Sequence, residues 1–132
     1  MNALKQVILN QASRIRYTVK DHAPSDIHSV LGQGELVIWS GESDRTIWND
    51  PKVNHAFRAL HDAAHIESGL GFSVPEEIEL ARTQAARYDG ILSDLIYVEV
   101  AGQAMEYLKT GQFVKDQVSF TLNALKGMGY KV

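Results

Sequence analysis

The chain has 132 residues, 45% of them hydrophobic and 22% charged, which are ordinary proportions for a globular domain, and this length predicts a single domain over residues 1–132. There are 13 Lys+Arg against 16 Asp+Glu, a net charge of −3, which disfavours a general polyanion binder and hence a nucleic-acid partner. No cysteine is present, so disulfides, thiolate zinc sites and cysteine nucleophiles are excluded, in keeping with a cytoplasmic protein.

No apolar run approaches the ~20 residues of a membrane span, and the expectation is of no membrane partner. From the N-terminus, Leu4, Ile8, Ala12, Ile15 and Val19 recur at helical spacing, which predicts one helix across the first twenty residues. Residues 21–26, with Pro24 and Ser25, read as a loop. Glu35-Leu-Val-Ile-Trp39 is rich in strand formers and lies between Gly34 and Gly41, so one strand is expected there.

Asn49-Asp50-Pro51 is a helix start, with Asp50 as cap and Pro51 in the first turn; the helix should run to about Glu67 before Gly69 and Gly71. Ser73 followed by Pro75-Glu-Glu77 opens a third helix, to about Tyr88. A more apolar fourth covers Ile91 to Lys109 and ends at Gly111, and a fifth covers Phe113 to Lys126 with Val114, Val118, Leu122 and Leu125 on one stripe. The fold class is mostly α (α+β), about five helices with one short strand or hairpin.

The residues with most chemistry sit on the second helix. His61 and His65 are four apart, so both rings leave the same face one turn apart, a spacing at which two imidazoles reach one zinc ion. In the H-E-x-x-H hydrolases the residue after the first His is the general base; here it is Asp62, one methylene shorter than Glu. The plain alternative is a coincidental pair, with Arg58 and Asp62 forming a surface ion pair.

A third ligand would come from the next helix, where Glu77, Ala81, Gln84 and Tyr88 share a stripe bordering the buried side, whereas Glu76 and Glu79 read as solvated. Acidic residues in a first turn also complement the helix dipole without any metal. On the fourth helix Leu92, Ile96, Glu99 and Gln103 share a stripe. A carboxylate there needs a partner, so Glu99, with Gln103, is expected as an outer-shell group, an alternative ligand, or a solvated residue.

The run Phe57-Arg-Ala-Leu-His61-Asp-Ala-Ala-His65, then Gly69-Leu-Gly-Phe72-Ser and Glu77-x-x-x-Ala81, resembles a metallopeptidase-like family of phages and of the large polyvalent proteins of mobile elements. The likeness covers about Asn54 to Gln84. It implies a zincin-like arrangement, a divalent metal with zinc expected first, His61, His65 and Glu77 as ligands, and Asp62 as base. Asp62 stands where ordinary zincins have Glu, and one residue fewer separates the two His than in the polyvalent domains.

Three functions follow as expectations. The first is a zinc hydrolase of peptidase or amidase type, in the host cytoplasm if phage-encoded, taking an extended peptide or protein along the edge of the Glu35–Trp39 strand. The second is an HD-type metal phosphohydrolase acting on nucleotides through His28, His61-Asp62 and Asp94. The third is a non-enzymatic phage binding or anti-defence protein.

Overall fold

A computed structural model describes residues 2–21, 36–41 and 46–132; His22, His28, Pro24 and Glu35 lie outside the described residues. The chain forms two compact units, Met1–Gly71 and Phe72–Val132.

The first unit begins with helix α1 (Asn2–Ala12), whose Ile8 and Ala12 are buried. The predicted helix was longer. It stops at Ala12, and Tyr17–Lys20 forms strand β1, paired in parallel with β2 (Leu36–Trp39) in the register Tyr17↔Leu36 to Lys20↔Trp39. The reason is local: Tyr17, Thr18 and Val19 are aromatic or β-branched, types that fit a pleated surface better than a helix. Val19, placed by helical spacing on the apolar face, is 37% exposed.

The expected strand is therefore present as the second member of a two-stranded parallel sheet rather than as a hairpin. The ladder is extended at its ends by Leu36 N–H donating to the Arg16 carbonyl at 3.0 Å and Ser40 N–H to the Lys20 carbonyl at 2.7 Å.

Helix α2 (Pro51–Ser68) packs against both α1 and β2. Its start and stop follow the sequence signals. The Asp50 carboxylate accepts the Lys52 N–H at 3.0 Å, and Gly69 closes the far end with φ of 73°. Ala59 meets Leu36 and Ile38 in a small cluster flanked by Ile15, Tyr17 and Ala63. Trp48, fully buried, lies against Phe57 with ring centroids 5.4 Å apart.

The second unit is helical among the described residues. Helix α3 (Val74–Ala85) is followed by α4 (Gly90–Tyr97), a π turn (Val98–Gly102) and α5 (Gln103–Thr110), then α6 (Gln117–Gly127). The predicted helix over 91–109 is thus continuous but contains one widened turn. Helix α3 lies against α4 and the π turn, and the Ser93 hydroxyl donates to the Ala85 carbonyl at 2.8 Å. Leu80, Ala81, Leu92, Leu95, Ile96 and Leu125 are buried.

The last helix starts four residues later than its apolar stripe suggested. Asp116 caps it by accepting the Ser119 N–H at 3.1 Å, and Phe113 is left 79% exposed. No helix among the described residues is long and apolar enough to cross a membrane.

Candidate metal centre

The cap at Asp50 and the proline after it set where α2 begins, and that phase decides which side chains face inward. Val53, Ala56, Phe57 and Ala64 are buried on this helix, and His65 shares their burial at 1% exposure. His61, one turn earlier, is half-buried. Their rings meet edge to face, centroids 4.6 Å apart and planes 81° apart, with Nε2 of His61 3.1 Å from Nε2 of His65.

Two nitrogens each about 2.0–2.1 Å from one tetrahedral ion would be about 3.3 Å apart, so the observed separation is close to that of two ligands of a single metal. The His65 Nδ1 lies 2.8 Å from the Leu70 carbonyl oxygen. A carbonyl only accepts, so Nδ1 carries the proton and Nε2 of the neutral ring presents a lone pair toward His61. The same geometry also suits a plain hydrogen bond in which His61 Nε2–H donates to His65 Nε2. Either way, the pair is convergent, and with one further donor it could hold a metal ion.

Asp62 follows His61 on the same helix and is half-buried. Arg58, three residues before His61, donates from Nη1 to the Gly41 carbonyl just beyond β2. That bond fastens the helix to the end of the strand.

In the second unit, two adjacent glutamates have different employment. The Ser73 hydroxyl donates to Glu76 Oε1 at 2.7 Å, while the Glu76 N–H reaches Ser73 Oγ at 3.4 Å, so Glu76 is tied into the helix cap at Ser73. Glu77 is half-buried with its Oε1 shielded from solvent, and on the same stripe Ala81 is buried as expected and Gln84 is buried as well. Glu79 is exposed.

Glu99 stands on the π turn with a partner on each oxygen. The Thr121 hydroxyl donates to Oε1 at 2.5 Å and Gln103 Nε2 donates to Oε2 at 3.3 Å. The sequence pointed to the need for a partner and to Gln103. It did not point to Thr121, although Val118, Thr121 and Leu125 fall on one helical stripe and the polar member is fully buried. Asp94, the distant acid of the phosphohydrolase reading, accepts a hydrogen bond from the Tyr130 hydroxyl.

No protein-family profile matches the chain, and no curated protein or solved structure matches it.

Proposed function

We propose that the protein is a metal-dependent hydrolase of the peptidase or amidase type, of the phage or mobile-element kind its motif resembles, holding one zinc ion through His61, His65 and Glu77. The observation that carries the reading is the approach of the two Nε2 atoms to 3.1 Å with the His65 proton occupied elsewhere. With Glu77, the third ligand that the motif implies, the two imidazole nitrogens make up a donor set of the kind zinc takes. Manganese and iron suit the same donors, so zinc is the first expectation rather than a requirement.

When bound, such a metal polarises a carbonyl group and lowers the pKa of water toward ~7. The residues of the chain do the rest. The Asp62 carboxylate, beside His61 in sequence, takes a proton from the attacking water and returns it to the leaving amine. Strand β2 supports a peptide substrate: on the side away from β1 it has no ladder partner among the described residues, and an extended peptide could add there through main-chain hydrogen bonds.

The test is metal content of protein purified without chelator or histidine tag, beside a folded His61→Ala/His65→Ala variant. About one equivalent in the wild type and almost none in the variant is expected. A metal-free wild type after reconstitution would overturn the site and favour the non-enzymatic binding protein. Asp62→Asn should keep the metal and abolish turnover of peptide or amide substrates; retained turnover would remove Asp62 from its role.

A further inference from the structure

The residues just beyond α2 do more than end the helix. Gly69 takes φ of 73°, and its N–H bonds back to the His65 carbonyl at 3.0 Å. The Ser68 hydroxyl donates to the same carbonyl at 3.3 Å and accepts the Leu70 N–H at 3.2 Å. These bonds fix both sides of the Gly69–Leu70 link, and the chain reverses so that the Leu70 carbonyl meets His65 Nδ1 at 2.8 Å.

We propose that the Ser68–Gly69–Leu70 turn is a positioning device for His65. Its backbone carbonyl holds the ring proton at Nδ1 and so keeps the Nε2 lone pair directed at His61. The use of that lone pair rests on the metal-site reading above, but the device itself is a property of the metal-free chain.

Gly69 is the residue on which it depends. A Cβ built there meets nothing within 4 Å, so Gly69→Ala introduces no clash. Its whole effect is the left-handed backbone, which alanine resists and asparagine tolerates. Alanine should therefore relax the turn and withdraw the Leu70 carbonyl, and Gly69→Asn should restore both. Ser68→Ala acts by the same route from an exposed position, by removing the acceptor of the Leu70 N–H.

The experiment is a two-bond proton–nitrogen NMR correlation of the imidazoles in metal-free protein at mildly alkaline pH, paired with titration by cobalt(II). The wild type should show His65 as a single Nδ1–H tautomer. Gly69→Ala should show a mixture and bind cobalt about tenfold or more weakly, as expected when the outer partner of a ligating His is lost. Gly69→Asn should recover the wild-type pattern.

His65 protonated at Nε2 in the wild type overturns the proposal, as does an unchanged single tautomer in both Gly69→Ala and Ser68→Ala. If the wild type binds no cobalt while the tautomer responds as described, the metal reading fails and the positioning device stands. Should Gly69→Ala not fold, Ser68→Ala with Gly69→Asn decides the matter by the same tautomer signals.

Discussion

Thr121 has no exposed surface, and its hydroxyl is spent on one oxygen of Glu99. Replacing it with valine keeps the shape and leaves a half-buried carboxylate one donor short. Thr121→Val should therefore cost about 1–3 kcal/mol in denaturant unfolding, and Thr121→Ser distinctly less. Tyr130 makes the same kind of bond, from a hydroxyl that titrates. Its hydroxyl donates to Asp94, and that bond raises the phenol above its ordinary value of 10.0. The neutral phenol is thus favoured by folding, and the contribution is complete below pH 10 and is lost as pH rises through the higher folded value. Unfolding midpoints measured from pH 9 to pH 11 should fall less steeply in Tyr130→Phe than in the wild type. The decline should not vanish, because burial raises Tyr88 in the same direction. At this scale the sequence revealed the His61/His65 pair through spacing alone. It could not reveal the Leu70 contact, because a main-chain carbonyl has no residue-type signature and depends on the path of the turn.

Helix α2 shows which elements can be read in advance. Asp50, Pro51 and Gly69 each act within a few residues of themselves, so their signals survived into the structure almost unchanged. Asp50→Ala should remove the bond to the Lys52 N–H and lower stability by about 1 kcal/mol in chemical denaturation, with the helix still starting at Pro51. Strand β1 is the contrary case. Ile15 and Val19 continued the helical spacing of Leu4, Ile8 and Ala12, and only the partner at residues 36–39 gave Tyr17–Lys20 its ladder. A pairing across that sequence separation leaves no local trace. The π turn at Val98–Gly102 was hidden for a related reason: one widened turn shifts the facing of later residues without breaking the apolar pattern. It also brings α6 close, since a Cβ on Gly102 would lie 3.4 Å from the Phe120 ring.

For the whole molecule, metal binding and stability should be linked. An ion bound only by the folded state adds about 2.7 kcal/mol at a free concentration one hundred times its dissociation constant. Thermal unfolding of the wild type should accordingly shift upward with added zinc, and that of His61→Ala/His65→Ala should not. The two units also differ in how far apart in sequence their contacts lie. In Met1–Gly71, α1 meets α2 and β1 meets β2, so each contact waits for a long stretch of chain to close. In Phe72–Val132 α3 meets α4 and the π turn meets α5, next to it in sequence, beside the more distant pairs α3 with α5 and α4 with α6. Nearby contacts form sooner because less chain entropy is lost before they are made. After dilution from denaturant, amides of Leu80, Leu95 and Ile96 should become protected from hydrogen exchange before that of Ile38. His61 and His65 sit four apart on one helix, so the two imidazoles converge as soon as that helix winds, before the distant contacts of their unit close around them.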